Sequence, residues 1–432
     1  MIFQFSLNVY VKYNKSKTIS VIHPVIMNPF SENLIAVILQ IRCCKDKCLE
    51  ITLQNTACNM QNYNRHIFDF PTYDALLNIA NFKCSFLIII VMSCSDDASH
   101  TTKDNLIQIT LPIKSKLQKA KYGVYNHSAV ELCHWTKKSF ANEGNCYKHK
   151  FYGISTHQCM EMTPAAMNCE NRCIYCWRPT EFYDTLEMPA ELVDEPDVIV
   201  HKLLHERRKL INGFYGSNKN EKKKLDESLL PTHYAISLSG EPTMYPKLPQ
   251  LIRYLKTLKA TKSIFLVTNG QEPQMLHRLA DEDALPTQLY LSTNASNRKM
   301  FYRINRPRHR DAWERWWKSL RFLETVNTRT VLRMTVIRGY NDNTKFIKEL
   351  AEMMCQANPH FIELKSYMHI GMSTQRLEKN NMLEMSEIRN LASQIHDKMT
   401  DFSIMDESEI SRVIVLQNHK RYINRWINGC IP

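Results

Sequence analysis

The chain has 432 residues, an apolar fraction of 44% and a net charge of +13, which is typical of a globular protein with one large or two average domains. No apolar run approaches the ~20 residues of a transmembrane helix, and the N-terminus lacks a secretory signal pattern, so we expect a cytoplasmic protein without membrane contact. Most of the positive excess follows residue 115, which favours a polyanionic partner, although a solvated basic enzyme surface would give the same balance.

The sequence of residues 1–115 does not predict a fold. Gly123 is the first glycine of the chain, although average glycine usage is about 7%. The segment also shows no sustained helical or strand period. We expect it to be an N-terminal extension of unknown role that is dispensable for activity. The fourteen cysteines of the whole chain indicate metal or redox chemistry rather than disulfides, because a reducing compartment keeps thiols free.

From residue 116 onward, short apolar runs alternate with helical patterns. Strands are predicted at 162–167, 234–238, 264–267, 288–292, 331–337 and 361–364, and helices near 196–211, 248–258, 273–279, 311–324, 344–355 and 386–399. This alternation predicts an α/β fold with a parallel sheet. Six units form a partial (β/α)6 TIM-like barrel over about 160–372, followed by a C-terminal segment, 373–432. In such barrels the chemistry lies at the carboxyl ends of the strands.

Three cysteines, Cys169, Cys173 and Cys176, follow the first predicted strand. Three thiolates leave one iron of a 4Fe-4S cluster free to bind the amino and carboxylate groups of S-adenosylmethionine (SAM). The alternative is a Cys3His zinc site with His157 as the fourth ligand. Spacings of three and two residues, with Tyr175 before the last cysteine, favour the radical SAM signature over zinc.

Polar residues after the next three strands predict a SAM pocket. Gly240 allows close backbone approach, and the carboxylate of Glu241 can accept hydrogen bonds from the SAM ammonium group. Thr268 and Asn269 follow the third strand, and Ser292 ends the fourth. Each motif alone is more often a simple turn. Because all of them stand at strand ends, we interpret them together as cofactor contacts.

The segments around these motifs resemble the tRNA 4-demethylwyosine synthases, a family of radical SAM enzymes. The similarity runs from about residue 117 to 416 and includes 152–164, 176–179, 237–243, 285–290, 338–341 and 361–369. Two positions depart from the family pattern. Asn294 stands where an acidic residue is expected, and Ile410 replaces an expected proline. Neither position is a predicted cluster ligand.

The resemblance implies a second 4Fe-4S cluster and a pyruvate site. Cys133, Cys146 and Cys159 stand at intervals of 13 residues that match the family's second set of ligands. Lys148 occupies the position of the family's Schiff-base lysine for pyruvate, although a lysine in such a basic run would ordinarily be read as exposed. A lysine amine becomes nucleophilic when desolvation or nearby charge lowers its pKa. The open iron of the second cluster is the alternative pyruvate site.

The implied activity is that of an archaeal-type tRNA 4-demethylwyosine synthase, a carbon-carbon lyase that modifies tRNA. Radical SAM chemistry would condense 1-methylguanosine at position 37 of tRNA-Phe with pyruvate to form the tricyclic base. Eukaryotic relatives carry a flavodoxin-like domain that binds FMN. A phosphate-binding loop is implausible in a segment that has no glycine before Gly123. We therefore expect an external electron donor of the flavodoxin or ferredoxin type.

A basic segment near residues 302–318 is the predicted contact with the tRNA anticodon loop. Arginines can bind phosphates and stack on splayed bases, and the predicted contacts are Arg303, Arg306, Arg308 and Arg310. The neighbouring Trp313, Trp316 and Trp317 share one helical face, which more often packs on the sheet. Two alternatives for the chain as a whole are a radical SAM enzyme with another substrate and a non-catalytic zinc-binding RNA-binding protein.

Overall fold

The computed structural model describes residues 4–13, 17–26, 35–41, 50–53, 86–92, 106–183 and 185–427. The chain divides into two compact units, Met1–Asp104 and Asn105–Pro432. In the described residues, no helix is both long and apolar enough to span a bilayer.

The first unit contains strands rather than helices in its described residues: β1 (Gln4–Tyr13), β2 (Lys17–Ile26), β3 (Ile35–Ile41), β4 (Glu50–Leu53) and β5 (Phe86–Met92). Strand β1 pairs antiparallel with β2 and β4, whereas β3 pairs parallel with β5. The runs Ile35–Ile41 and Phe86–Met92 are rich in isoleucine and valine, which favour strands. No role for this unit follows from these pairings.

The second unit alternates helices with strands. Its described helices are α1 (Leu111–Lys119), α2 (His134–Phe140), α3 (Tyr147–Tyr152), α4 (Pro196–Asn212), α5 (Lys222–Ser228), α6 (Leu248–Thr257), α7 (Pro273–Asp281), α8 (Arg298–Asn305), α9 (Ala312–Thr325), α10 (Ile347–Ala357) and α11 (Met385–His396). Its described strands are β6 (Tyr122–Tyr125), β7 (Ser128–Glu131), β8 (Cys159–Thr163), β9 (His233–Ile236), β10 (Ser263–Thr268), β11 (Gln288–Ser292), β12 (Arg329–Val336), β13 (Phe361–Ser366), β14 (Phe402–Ser408) and β15 (Val413–Asn418).

These ten strands form one sheet in the order β14-β15-β13-β12-β11-β10-β9-β8-β7-β6. Strands β8 to β13 are parallel and follow chain order, which confirms the predicted six-unit partial barrel. The sequence did not predict the antiparallel strands β6 and β7 at one edge or β14 and β15 at the other. The first predicted strand, 162–167, lies three residues too far along the chain, because the strand ends before Pro164, which has no N–H to donate.

The two faces of the sheet pack against different partners. Along β10, Ile264 and Leu266 belong to the large core that includes the helices, whereas Phe265 packs on the opposite face with α3. This inner face carries Ala235, Phe265, Tyr290, Val331 and Phe361, which pack with Tyr147, Phe151 and Tyr152 of α3. Helix α3 therefore lies against the inner face, and Lys148 lies on this helix.

Candidate active site

The loop after β8 carries Cys169, Cys173 and Cys176 at the carboxyl end of the parallel strands. Its backbone is fixed to α8, because the N–H of Ile174 donates to the carbonyl of Ile304 at 2.9 Å. The guanidinium of Arg376 donates to the carbonyls of Ile174 and Cys176. The cysteine loop is thus held from two sides by hydrogen bonds within the protein.

The thiols of this loop are free and largely enclosed. Burial raises the pKa of Cys173 to about 12, and burial followed by the negative charge of Glu170 raises the pKa of Cys169 well above its usual value. A buried thiolate needs a positive partner to balance its charge, and cluster iron supplies it on binding. The three thiols therefore suit a 4Fe-4S cluster with one iron left for SAM.

A second trio of cysteines meets on the inner side of β8. Cys133 precedes α2 and its sulfur accepts a hydrogen bond from the N–H of Thr136 at 3.4 Å, Cys146 precedes α3, and Cys159 begins β8. Burial first, and then Glu161 and the thiolate of Cys146, raise the pKa of Cys133 to about 12. The pKa of Cys159 is raised mainly by burial and to a smaller extent by Cys133 and Cys146. Three thiols separated in sequence thus lie close enough to interact.

The zinc alternative fits these cysteines poorly. Tetrahedral zinc places its sulfur ligands about 3.8 Å apart, given Zn–S bonds of about 2.3 Å. In the described part of the chain, neither cysteine trio is among the sets whose ligand atoms lie within 4.8 Å of one another. His157, the predicted fourth ligand, instead has its Nε2 atom 2.7 Å from Glu227. His157 is thus paired with a carboxylate rather than placed among the cysteines.

Gly240 and Glu241 stand at the end of β9 beside the cluster loop. Gly240 has a positive φ of 69°, and a Cβ atom there would lie 1.7 Å from the carbonyl oxygen of Ala165. Glu241 is buried, and it accepts hydrogen bonds from the N–H of Thr243 at 3.1 Å and of Asn269 at 2.7 Å. The carboxylate is therefore held in a fixed position near the cysteines, as a ligand for an ammonium group requires.

Asn269 makes the most direct link between the strand ends and the cluster loop. Its Nδ2 atom lies 3.6 Å from the sulfur of Cys169 and 3.2 Å from Glu170 Oε2. Thr268 is buried and its hydroxyl accepts from the N–H of Gly270 at 3.0 Å. Ser292 accepts through its carbonyl from the indole N–H of Trp316 at 3.0 Å. The contacts described for Thr268 and Ser292 support the backbone, so their SAM contacts stay a prediction.

Asn294, noted above as a departure from the family pattern, is part of this site. Its side-chain amide donates to Tyr175 Oη at 2.7 Å and to Asn305 Oδ1 at 3.1 Å. The same Asn305 oxygen lies 3.7 Å from the sulfur of Cys173. No motif in the sequence indicates that Asn294 and Asn305 contact the cluster loop, because both residues reach it from distant parts of the chain. An acidic residue at position 294 could not donate both bonds while ionised.

Lys148 is buried, with 8% of its surface exposed, against the inner face of the sheet. Its ammonium nitrogen lies 4.6 Å from the ring centre of Phe265 and 4.9 Å from that of Tyr290. Its charge acts on the pKa of Cys146 and of Cys159, so it lies among the second trio of thiols. The alternative expectation, that Lys148 is an exposed surface lysine, is therefore wrong.

Further buried polar groups surround Lys148. Burial raises the pKa of Glu161 to about 7, against the opposing charges of Lys148 and Arg333. Burial and then Arg333 lower the pKa of Lys365 to about 8, and its amine donates to the carbonyl of Ser411 at 2.6 Å. Glu363 is fully buried and accepts from Arg333 at 3.0 Å. Buried polar and charged side chains thus surround Lys148 on the inner face of the sheet.

The four predicted tRNA contacts lie in and just after helix α8, and all are exposed: Arg303, Arg306, Arg308 and Arg310. Arg303 stacks over Tyr340 with its guanidinium carbon 4.2 Å from the ring centre. Trp316 is buried, and the ring centres of Trp313 and Trp316 stack 5.3 Å apart. The packing role expected for the tryptophans is confirmed, which leaves the arginines as the groups that can reach a polyanion.

Family models match two consecutive parts of this chain. The radical SAM superfamily model matches residues 165–351, which cover the cluster loop and strands β9 to β12. The model described as wyosine base formation matches residues 356–418, from the end of α10 to β15. The boundary between the two matches lies just before β13.

The chain is similar along most of the second unit to curated tRNA 4-demethylwyosine synthases that depend on SAM. The protein from Pyrococcus abyssi is 41% identical over 293 residues, which cover 68% of this chain and 84% of that relative. The protein from Methanocaldococcus jannaschii is 40% identical over 312 residues, with coverages of 71% and 96%. The human protein is 33% identical over 318 residues, with coverages of 72% and 42%.

Two solved structures share the fold at high coverage. A structure of TYW1 with a lysine-pyruvate adduct bound has a TM-score of 0.66 and 38% identity, and the match covers 74% of this chain and 99% of that one. A crystal structure of archaeal TYW1 has a TM-score of 0.59 and 34% identity, with coverages of 74% and 100%.

Proposed function

The chain belongs to the tRNA 4-demethylwyosine synthase family of radical SAM enzymes, and we propose that it condenses 1-methylguanosine at position 37 of tRNA-Phe with pyruvate. It is a tRNA-modifying enzyme that uses SAM and a 4Fe-4S cluster. Family membership excludes the non-catalytic zinc-binding protein considered above. The exact base, the pyruvate site, the second cluster and the electron donor are parts of our proposal.

The observation that carries the proposal is the burial of Lys148 beside Cys146 and Cys159. The amine of Lys148 is buried 4.6 Å from the ring centre of Phe265 and 4.9 Å from that of Tyr290, and an enclosed lysine amine can form an imine with a carbonyl compound. The solved TYW1 structure with a lysine-pyruvate adduct has the same fold at 38% identity. We therefore assign pyruvate to Lys148, with the open iron of the second cluster as the alternative.

In this proposal, the residues of the chain hold pyruvate and direct its carbons. The amine of Lys148 adds to the C2 carbonyl of pyruvate, and water leaves as the imine forms. When bound, SAM and the cluster supply the radical that removes hydrogen from the N-methyl group of the base. The methylene carbon then bonds to C2 while the C1–C2 bond breaks, and C1 leaves as a carboxylate with the unpaired electron. The exocyclic amine of the base displaces Lys148 and closes the ring.

A labelling experiment tests this function. We expect reconstituted protein with SAM, dithionite and tRNA-Phe that contains 1-methylguanosine to incorporate carbon from pyruvate labelled at C2 or C3 into the tRNA. Label at C1 should not enter, because the C1–C2 bond breaks. The matched control is the same tRNA with unmodified guanosine, which lacks the N-methyl group. Cleavage of SAM without any label in the tRNA would indicate a different substrate.

We propose that Cys133, Cys146 and Cys159 bind a second 4Fe-4S cluster. Their raised pKa values and mutual interaction fit three thiolates that share one positively charged centre. A variant with all three replaced by alanine should retain roughly half of the iron, which belongs to the radical SAM cluster, and lose ring formation. Iron and sulfide analysis of anaerobic protein measures this loss. If the iron content stayed at the wild-type level, these thiols would be structural only.

The exposed arginines and the need for a reducing electron indicate two further partners, the tRNA anticodon loop and an electron donor. We propose that the four exposed arginines of residues 303–310 contact phosphates of the anticodon loop, because a guanidinium group that neutralises a phosphate releases the counterions condensed on the RNA. Reduction of the clusters requires an external donor of the flavodoxin or ferredoxin type. A reducing, cytoplasmic setting suits the free thiols of both trios.

A further inference from the structure

Three potential metal ligands meet beside the cluster loop and are not used by the function proposed above. Glu170 follows Cys169, Glu272 precedes α7 at the end of β10, and His309 lies between α8 and α9. One ligand atom from each of these side chains lies within 4.8 Å of the other two. Among the described residues, these three are the ones found with carboxylate, imidazole or thiol ligand atoms this close together.

Buried polar atoms of two of these three side chains lack hydrogen-bond partners. Glu170 is fully buried, and its Oε1 atom has no hydrogen-bond partner, while its Oε2 atom accepts from the neutral amide of Asn269 at 3.2 Å. The Nε2 atom of His309 is also buried without a partner. Orphaned buried acceptors are rare in proteins, since each costs about 1–3 kcal/mol of desolvation. Their convergence indicates that a positively charged group is expected between them.

Among the described residues, the cation paired with one of these three side chains is Arg315. The guanidinium of Arg315 lies 2.5 Å from Glu272 and also donates to the carbonyl of Gln271 at 2.6 Å. These contacts hold Arg315 beside Glu272. Two further buried oxygens without hydrogen-bond partners belong to the chain neighbours of the cluster, Asn171 Oδ1 and Gln271 Oε1. The region around Glu170 is therefore rich in oxygen acceptors that lack donors.

We propose that Glu170, Glu272 and His309 form a binding site for a divalent first-row metal ion, separate from both cysteine trios. Two carboxylates and one imidazole suit Mn²⁺ or Zn²⁺, and water completes the coordination shell. This inference does not rest on the proposed tRNA reaction, because it uses only the geometry of these three side chains.

The position of the site gives the ion a structural role. The N–H of Arg308 donates to the carbonyl of Glu170 at 2.9 Å, and Asn171 forms an isolated bridge with Pro307. The ion would therefore join the cluster loop, the end of β10 and the segment 306–310, which carries three of the four exposed arginines. A bound ion holds the arginine segment in a fixed position relative to Cys169.

Mn²⁺ binding to the reconstituted holoenzyme tests the site. With the clusters in the oxidised, EPR-silent state, titration of Mn²⁺ is followed through the six-line EPR signal of the free ion. We expect the wild type to bind about one Mn²⁺ ion per chain, which lowers the signal of free Mn²⁺ by that amount. Added Zn²⁺ should displace the bound Mn²⁺, because such sites usually bind Zn²⁺ more tightly. His309→Ala and Glu272→Gln should each weaken binding by about tenfold or more, since the first removes the imidazole and the second replaces a carboxylate with a neutral amide.

The control variant is His396→Ala, which removes a partly exposed histidine far along the chain and should bind Mn²⁺ as the wild type does. His309→Ala leaves the Arg315–Glu272 ion pair in place, so it separates metal binding from a local loss of structure. Iron content and the absorbance of the clusters report whether each variant is folded. A wild type that leaves the free Mn²⁺ signal unchanged, or variants that bind as tightly as the wild type, would overturn the proposal.

Discussion

Replacing Cys173 by alanine is expected to abolish the formation of 5′-deoxyadenosine. The radical SAM cluster has three protein ligands, and its fourth iron must stay open for SAM. Removal of one ligand leaves two thiolates on a loop whose backbone is otherwise fixed by Ile174 and Arg376. The cluster then either fails to assemble or presents the wrong iron to SAM. We expect 5′-deoxyadenosine, measured by chromatography after dithionite reduction, to fall to background.

The matched control for this prediction is Cys355→Ala. Cys355 is an exposed free cysteine of α10, outside both trios, so its loss should leave SAM cleavage and iron content unchanged. The same result is expected for Cys169→Ala and Cys176→Ala as for Cys173→Ala. Full SAM cleavage by reconstituted Cys173→Ala protein would show that this loop does not hold the catalytic cluster.

Replacing Lys148 by alanine is expected to stop ring formation while SAM cleavage and tRNA binding continue. The covalent route through the imine disappears with the amine, so we expect the tricyclic base to fall by at least about a hundredfold. The three ligands of the radical SAM cluster lie on a different loop, so 5′-deoxyadenosine should still form. Borohydride should trap labelled pyruvate on the wild type and not on Lys148→Ala, as measured by mass spectrometry of tryptic peptides.

Two other lysines serve as controls for the identity of the nucleophile. Lys150 has the same charge two residues away, but its amine is exposed and pairs with Asp406 at 2.9 Å, so Lys150→Ala should retain product and trapping. Lys365 is the stricter control, because burial lowers its pKa to about 8 and its charge acts on Cys146. Lys365→Ala should also still trap pyruvate.

The outcomes separate three pyruvate sites. Trapping lost only in Lys148→Ala supports the imine at that residue. If trapping persists there and disappears in Lys365→Ala, the nucleophile is Lys365. Near-normal product from both variants would move pyruvate to the open iron of the second cluster. None of these results changes the assignment of the chain to its family, which rests on similarity along most of the second unit.

The sequence by itself determined the parallel part of the fold and the radical SAM loop. Strands β9 to β13 and the helices between them, except α8, were predicted to within a few residues, because short apolar runs and helical periods are local properties of the chain. The cysteine spacing and the turn at Gly240 are also local, since three ligands on one loop and a glycine with positive φ need no distant partner to be recognised.

The tertiary structure decided the features that depend on distant contacts. The edge strands β6, β7, β14 and β15 lie outside the alternating strand–helix pattern, and their antiparallel pairing makes them part of the sheet. Residues two apart on a helix point in different directions, so Lys148 is buried while Lys150 is exposed, although both lie in one basic run. Glu170, Glu272 and His309 come from three loops, so only the folded chain brings their ligand atoms together.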